Sequence, residues 1–468
     1  MYRLRSLRAL LNEFNGEEGF NELENQEIYF APYDELNDPM EGATEMFWRG
    51  DRIIWENFFR HYPLCLNYQF TMATLIGADF LSEKFPTMLS ETFTHEGIIP
   101  LLQKIKERFF AREAIQGLLQ YFSSRTTPIR EEELAFYLKQ MQCFAFSCVL
   151  SVHHEEGLYE HNPFLPILDK WDKLGEYASI WDSPPKNDDE YEIAYRYFNQ
   201  VMEQQNITLR AAAAEVANDN DNRASTAYFL FDYPSVYLRN IKELVYPKWY
   251  TACFMDACTN AAVWSHYSDS HKGVCLIFRT TDNDGKASMP IESGIVIKAG
   301  NRQRKFVDRA FEKVEYSNNP QEVDFFRSLF NLIVVVAENE WYSNDAGEKS
   351  VCADALAKLD DGGREEYWEQ IRRIQTTKTP DWACETEQRL VLFSPMVDYT
   401  EVSARKIKYN FSDLEGIIFG FRTPIDAQIE IRRIIAEKCR QAKRDDFNFY
   451  QARFDNRRHA MVFEKLQL

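Results

Sequence analysis

Two glutamates, Glu385 and Glu387, lie one residue apart directly before an apolar segment, residues 389–393 (RLVLF). Side chains two positions apart on an extended segment point to the same side, so the two carboxylates are expected to be neighbours. Like charges at that distance raise the pKa of at least one carboxyl group when they are partly buried. Arg389 or Arg5 could hold the pair. The alternative interpretation is an exposed strand edge, because edges often carry charge.

The amino end carries Tyr2, Arg3 and Arg5 on or beside a predicted first strand. Strand alternation places Arg3 and Arg5 on one face. A guanidinium group binds phosphate oxygens in a bidentate manner, so two arginines on one face suit a diphosphate. The alternative is that both side chains face solvent, as most arginines do.

A polar loop with Asn37, Asp38 and Pro39 follows the second predicted strand. In the structural interpretation Asp38 caps its own turn and Pro39 begins a helix. In the functional interpretation the loop is a polar lip on a ligand cleft.

A second polar and aromatic cluster consists of Trp264, His266, Tyr267 and His271. Trp264 and Tyr267 are three positions apart and share a face if the segment is helical, so a flat ligand ring could stack there. His266 and His271 have poor spacing for a helical metal pair, and no Cys-x-x-Cys accompanies them, so no metal is predicted. The alternative is a buried, hydrogen-bonded histidine pair.

The composition bounds the class of protein. The chain has 468 residues, enough for two or three domains, and its 45% hydrophobic content supports an ordinary core. A formal net charge of -19 disfavours nonspecific binding to a phosphate backbone. No Walker loop, G-x-S-x-G or G-x-G-x-x-G occurs, so P-loop kinases, serine hydrolases and Rossmann dehydrogenases have no support.

Cysteine usage and the amino end indicate the compartment. Nine cysteines without a short-spaced framework are typical of reduced thiols. Residues 1–14 are charged from the third position onward and do not resemble a signal peptide. No apolar run reaches the ~18 residues of a membrane span. We therefore expect a cytoplasmic protein without a membrane partner.

The pattern along the chain predicts an α+β fold with a small, split, mixed or antiparallel β core and flanking helices, interrupted by a large helical insert. The core is expected in residues 1–45 and 236–468 and the insert in 46–235, with the run 218–222 (NDNDN) as the best candidate for its end. Strands are predicted at 251–255, 273–279, 294–298, 389–393 and 416–420, and helices at 325–336, 363–374 and 424–444.

Taken in order, these segments resemble a bacterial domain-of-unknown-function family, the one numbered 2971. The resemblance rests on the segments around Tyr2–Ser6, Ile28–Phe30, Leu36–Glu41, Cys253–Phe254, Trp264–Tyr267, His271–Val274, Trp382–Arg389 and Ile417–Gly420. It covers roughly half of the chain, and the insert has no counterpart in it. The chain departs from the family at Met255 and at Ala31, where a small hydroxyl residue and a serine are usual.

The layout is similar to that of ADP-ribosyltransferases, and this similarity implies a function. Such enzymes begin with a strand residue that holds NAD, here Arg5 or Arg3, and end with Glu-x-Glu entering a strand. Glu387 would engage the nicotinamide ribose and Glu385 would orient the acceptor or take its proton. The remaining candidate contacts to NAD are Tyr2, Asn37, Asp38, Trp264, His266, Tyr267 and His271, with Tyr267 or Trp264 stacking on a ring.

The expected function is therefore that of an NAD-consuming ADP-ribosyltransferase or NAD glycohydrolase, as a toxin or phage-defence effector. NAD would be the substrate, bound between two small sheets, with an unknown protein or nucleic acid as acceptor. The insert would recognise the target or gate the cleft. Two alternatives stay open: a non-catalytic module that senses a nucleotide or binds a partner, and a nuclease using His266, His271 and a carboxylate. The sequence does not predict the oligomeric state.

Overall fold

The structure is a computed structural model that describes residues 1–14, 17–77, 87, 89–91, 94–158, 168, 187–216, 225, 227–298, 301–358, 363–393 and 397–467. The segment 218–222, predicted to end the insert, lies outside these ranges. The chain divides into two compact units. The sheet unit consists of Met1–Ala43, Lys248–Gln321 and Glu369–Leu468, and the helical unit of Thr44–Pro247 and Glu322–Trp368. These bounds differ from the predicted insert of 46–235, because residues 236–247 and 322–368 also cluster with the helices.

The sheet unit is built on a mixed sheet that has nine strands within the described residues. They are β1 (Tyr2–Arg5), β2 (Ala31–Pro32), β3 (Tyr250–Met255), β4 (Val274–Phe278), β5 (Glu312–Lys313), β6 (Glu387–Leu392), β7 (Leu414–Phe419), β8 (Asn448–Asp455) and β9 (Ala460–Lys465). Their spatial order is β5-β6-β3-β1-β4-β7-β8-β9, and β2 pairs with β3. Strands β7 and β8 run parallel. The other neighbours are antiparallel.

The central strand β4 shows why this segment forms a strand. Its sequence VCLIF is almost wholly buried, as expected for a strand covered on both faces. Gly273 precedes it, and a Cβ there would lie 2.1 Å from the carbonyl oxygen of Arg5. Glycine is therefore required for β4 to approach β1 this closely.

The two faces of the sheet are each covered by a helix. Leu276 and Ile417 belong to the apolar cluster that contains Ile431 of the helix Ile425–Ala442. Cys275 belongs to the opposite cluster, which contains Trp264 of the helix Ala261–Tyr267. Successive strand residues thus serve opposite faces. The helix predicted at 424–444 is confirmed with slightly shorter bounds.

The remaining elements of the sheet unit are short or peripheral. The helices are Leu7–Leu10 and Glu22–Asn25. The paired strands are Thr281–Asn283, Lys286–Lys298 and Asn301–Ala310; Glu27–Tyr29 and Lys406–Lys408; Glu315–Tyr316 and Thr377–Lys378; and Glu13–Phe14 and Glu17–Glu18. The 3₁₀ turns are Tyr33–Glu35, Pro380–Glu385, Val402–Arg405 and Phe411–Asp413. Strand Asn301–Ala310 was not predicted because its sequence, NRQRKFVDRA, has no apolar alternation.

The core of the helical unit contains many aromatic side chains beside its aliphatic ones. Its helices are Arg52–Ile76, Ile99–Phe110, Glu113–Ser124, Glu131–Glu155, Asp188–Val216, Tyr233–Ile241, Val334–Val336 and Asp354–Lys358, with π turns at Tyr228–Asp232 and Ala337–Trp341 and 3₁₀ turns at Lys242–Leu244, Phe325–Arg327 and Val351–Ala353. The helix Arg364–Thr376 crosses the boundary between the units, and a small sheet joins Thr44–Trp48, Ile129–Arg130 and Gln321–Asp324. Trp55 illustrates the core: its ring contacts those of Phe58, Phe122 and Phe326.

The predicted α+β class is confirmed. The helix predicted at 325–336 is wrong as one element, since only Phe325–Arg327 and Val334–Val336 are helical. Among the described residues, no helix is long and apolar enough to cross a membrane.

Candidate functional site

A cleft opens in the sheet unit where β1 and β3 separate. The two strands are paired at one position, Tyr2 with Met255. Beyond this position β1 pairs with β4, whereas β3 pairs with β6 and, at Tyr250 and Thr251, with β2. The cleft encloses about 190 Å³. The β core is therefore split, as the sequence predicted.

Several segments of the chain line the cleft. Strands β1 and β3 contribute residues 3–5 and 251–255, and the loop after β2 contributes Glu35, Leu36, Asn37 and Glu41. The remaining lining residues are Tyr29, Ala31, Tyr267, Lys378, Glu385 and Glu387. Consecutive residues of both strands line the cleft although successive side chains point to opposite faces, so part of the lining is main chain.

One wall of the cleft is built from buried charges. Arg389 Nε donates to Glu387 Oε1 at 2.7 Å, and another of its nitrogens donates to Glu41. Lys378 Nζ donates to Glu387 Oε2 at 3.0 Å and to Glu385 Oε2 at 2.7 Å, and lies 3.3 Å from Glu41 Oε1. Two cations thus hold three carboxylates in a region that solvent hardly reaches.

Glu385 extends this wall toward the aromatic cluster. Tyr267 donates its hydroxyl to Glu385 Oε1 at 2.7 Å and accepts a hydrogen bond from Asn37 Nδ2 at 3.1 Å. Tyr267 and Asn37 therefore lie together at the cleft beside Glu385.

The two glutamates have opposite pKa shifts. Burial alone would raise the pKa of Glu387, but Arg389 and Lys378 hold it at about 2. Burial raises the pKa of Glu385, and Lys378 and Tyr267 only partly offset this. Burial also raises the pKa of Glu41. At neutral pH Glu387 is therefore a fixed anion, and Glu385 is the more readily protonated of the pair.

Backbone conformation brings the two carboxylates together. Glu385 ends the 3₁₀ turn Pro380–Glu385, and Thr386 adopts a left-handed conformation with φ of 47° before β6 begins. The sequence predicts that strand alternation brings the two carboxylates together. That explanation is wrong, because Glu385 lies in the turn and not in the strand. A non-glycine residue in this conformation is strained and is often found at functional sites.

Lys378 is positioned by two further contacts. Its strand pairs in parallel with Glu315–Tyr316, and the hydroxyl of Tyr316 accepts from the backbone N–H of Glu387. Asp38 accepts from the backbone and the hydroxyl of Thr379 at 2.6 and 2.8 Å. Asp38 thus fixes the segment that carries Lys378 rather than lining the cleft, which corrects its predicted role as a ligand contact.

The two predicted arginines differ in their partners. Arg5 is paired with Glu22. Arg3 is 5% exposed, and its Nη2 donates a hydrogen bond to the carbonyl oxygen of Tyr29. Its Nη1 is buried without a hydrogen-bond partner. Burial, followed by the charge of Arg5, lowers the pKa of Arg3 to about 10. A buried guanidinium nitrogen without a partner, on a residue that lines the cleft, suits an anionic oxygen of a ligand.

Three predicted contact residues lie elsewhere. Trp264 is buried in the core and donates its indole N–H to the carbonyl of Cys258 at 2.6 Å, so it does not present a ring to a ligand. Tyr2 packs against the same apolar cluster. His271 packs against Phe421, 4.4 Å between ring centroids. Burial of Trp264 corrects its predicted role of stacking on a ligand ring. Tyr2 and His271 are not among the residues that line the cleft, and their roles in binding stay predictions.

His266 lies beside the cleft rather than in its lining. Its exposed ring contacts Tyr267 and Trp382, with centroids 4.8 and 5.3 Å apart. Trp382 also covers Lys378, whose Nζ lies 4.7 Å from the ring centroid. The structure thus places an aromatic surface next to the charged wall.

No group of three or more His, Cys, Asp or Glu side chains among the described residues is arranged to hold a metal ion. His266 and His271 contact different aromatic residues. The residues present therefore give the nuclease alternative no further support.

Sequence reasoning missed Lys378 and Glu41 as parts of the site. Lys378 lies in a polar run, TTKTP, which gives no signal of burial. Glu41 belongs to the segment Leu36–Glu41, in which nothing predicts that its side chain is buried. Arg389 is a predicted partner of the glutamates, and the structure shows its contact with Glu387.

Comparison with known proteins gives one match. The model of a family described as "Protein of unknown function (DUF2971)" matches residues 263–390. No curated protein and no solved structure matches the chain. The matched range does not include residues 2–41, 253–254 or 417–420, so the resemblance drawn there stays a prediction. Over residues 263–390, which hold most of the charged wall of the cleft, the chain is similar to the DUF2971 family.

Proposed function

We propose that the cleft binds NAD and that its two glutamates cleave the bond between nicotinamide and ribose, as in an NAD glycohydrolase or ADP-ribosyltransferase. The observation that carries the proposal is the pair Glu385 and Glu387, whose pKa values are shifted in opposite directions in one cleft. Two carboxylates with separated pKa values are the usual basis for assigning distinct acid–base and charge-stabilising roles.

Each glutamate suits one part of the proposed step. The C1′–N bond breaks, and its electron pair stays on the nicotinamide nitrogen, which thereby loses its positive charge. Glu387, a fixed anion, stabilises the positive charge that develops on the sugar. Water or an acceptor group forms the new bond to C1′ and passes its proton to the anionic form of Glu385.

The opposite wall supports binding of the dinucleotide. The unpartnered nitrogen of Arg3 suits a phosphate oxygen. The enclosed volume of about 190 Å³ is below the ~300–1,000 Å³ of typical ligand pockets, so we expect only the reacting end of NAD to be enclosed. The exposed ring of His266 and the half-buried ring of Trp382 offer a surface for a planar group outside it.

The test is release of nicotinamide from NAD by the purified protein, followed by chromatography, with and without a cell lysate that supplies acceptors. We expect Glu387→Gln and Glu385→Gln each to reduce release by about 10²-fold or more. Glu464→Gln is the matched control, because Glu464 is exposed on β9. Circular dichroism must show that all variants are folded. No release by the wild-type protein under either condition would contradict the proposal.

A second candidate is a module that binds a nucleotide without turnover. It is favoured by the fact that both oxygens of Glu387 are already held, one by Arg389 and one by Lys378. In that case NAD would stabilise the protein against thermal unfolding and be recovered intact. The toxin and phage-defence roles depend on turnover and stay predictions.

A further inference from the structure

Four charges of the cleft wall form a closed loop of alternating sign. Lys378 contacts Glu387, Glu387 contacts Arg389, Arg389 contacts Glu41, and Glu41 returns to Lys378. The loop contains two cations and two anions, so its formal charge is zero. The side chain of every member is at least nine-tenths buried.

Glu385 is a fifth charge outside this loop. Within the described residues its carboxylate contacts the loop through Lys378, and its other oxygen accepts from Tyr267. The loop is neutral without it, so Glu385 supplies the surplus negative charge of the wall. A surplus buried anion is the group whose protonation costs the network least.

We propose that Lys378 is the positioning residue of the site: it closes the neutral loop and, through the same ammonium group, keeps Glu385 ionised and oriented toward the cleft. This inference rests on the proposed function for the role of Glu385 as the proton acceptor, but the protonation of Glu385 can be measured without turnover. Lys378 therefore acts through Glu385 and needs no contact with the substrate.

The other groups around Glu385 and Lys378 do not replace this role. Trp382 covers the ammonium with its ring face, and Tyr267 is neutral, its pKa raised by burial. The charged or titratable groups around the pair from neighbouring elements are Asp38, Glu41, Glu387, Tyr316 and Arg389, the last through its contacts with Glu41 and Glu387. Of the two buried cations of the wall, Lys378 hydrogen-bonds Glu385, whereas Arg389 contacts Glu41 and Glu387.

Replacing Lys378 tests the inference through a pH profile. In Lys378→Met the pKa of Glu385 should rise by about 1–3 units, because an opposite charge at contact distance is removed. Glu385 acts as an anion, so the acid limb of the pH–rate profile for nicotinamide release should move to higher pH by that amount. Lys378→Arg keeps the positive charge, so its acid limb should lie close to that of the wild-type protein.

A second readout separates this inference from the proposed function. The infrared band of the protonated Glu385 carboxyl group, identified by its loss in Glu385→Gln, is followed against pH in wild type and Lys378→Met without NAD. A shifted midpoint supports the inference even if the wild-type protein never releases nicotinamide. An unshifted midpoint in folded Lys378→Met overturns it even if nicotinamide is released.

If Lys378→Met does not fold, the glutamates provide the test. Glu385→Gln leaves the neutral loop intact and should keep the unfolding midpoint close to that of wild type. Glu387→Gln opens the loop and should lower the midpoint clearly. Equal effects of the two substitutions would overturn the inference, because Glu385 would then not be separate from the loop.

Discussion

Both units of the molecule bury an arginine–glutamate pair, but in different surroundings. In the helical unit Arg125 contacts Glu133, and both side chains are less than one-tenth exposed. Arg125 also donates to Thr127 and lies over the ring of Tyr191. In the sheet unit Arg389 is fully buried and contacts both Glu387 and Glu41.

The difference lies in charge balance and access. The pair in the helical unit is one cation with one anion, sealed by tyrosines and by the carbonyl of Pro128. The wall in the sheet unit has three carboxylates and two cations and borders the cleft. A buried ion pair is therefore weak evidence for a site by itself. A surplus charge beside a cleft is better evidence for a functional site, because such a charge can still take a ligand as its partner.

The largest expected effect compares the two arginines. Arg125→Met removes the ion-pair partner of the buried Glu133, and Arg389→Met leaves Lys378 to balance Glu41, Glu385 and Glu387. Each substitution should lower the free energy of unfolding by about 3–5 kcal/mol. Only Arg389→Met should also abolish nicotinamide release per folded molecule. Urea unfolding and nicotinamide release measure the two effects. Loss of activity in folded Arg125→Met would break the comparison.

A smaller effect separates Arg3 from Arg5. Arg3→Gln removes the unpartnered donor and should weaken binding of ADP-ribose by about 1.5–3 kcal/mol, the usual contribution of a hydrogen bond to a charged group. Arg5→Gln should mainly reduce stability, because Glu22 loses its partner. Isothermal titration calorimetry measures the affinity. Equal losses for both variants would show that Arg5 leaves Glu22 to bind the ligand.

The smallest effect is expected for an exposed pair. Arg453 and Glu464 lie 2.9 Å apart on β8 and β9, and both are more than half exposed. Glu464→Gln should change the free energy of unfolding by less than about 1 kcal/mol, because water screens the pair. A larger loss in urea unfolding would mean that exposure is a poor guide to the energy of ion pairs in this protein.

Local pattern predicted the parts of the fold that depend on nearby residues. The segments 251–255, 389–393 and 416–420 are apolar and β-rich, and each lies largely in a strand of the main sheet. The helix predicted at 424–444 lies at Ile425–Ala442. These features follow from side-chain periodicity, which a single sequence displays directly.

Pairings between distant segments could not be predicted in this way. Glu41 and Lys378 meet although 337 positions separate them, and neither has a local signal of burial. Trp264 shows a second limit: helical spacing relates it to Tyr267 but does not say which of the two faces the core. Only the sheet, assembled from several segments, decides that Trp264 is buried and Tyr267 reaches the cleft.

The separation of β1 from β3 has a consequence for how this site can change over time. By strand alternation, main-chain amide and carbonyl groups of residues 3–5 and 251–255 form part of the lining, and a substitution alters side chains but not these groups. Met255 and Ala31 both line the cleft. Exchange of either side chain would therefore change the shape of the cleft but keep its main-chain donors and acceptors.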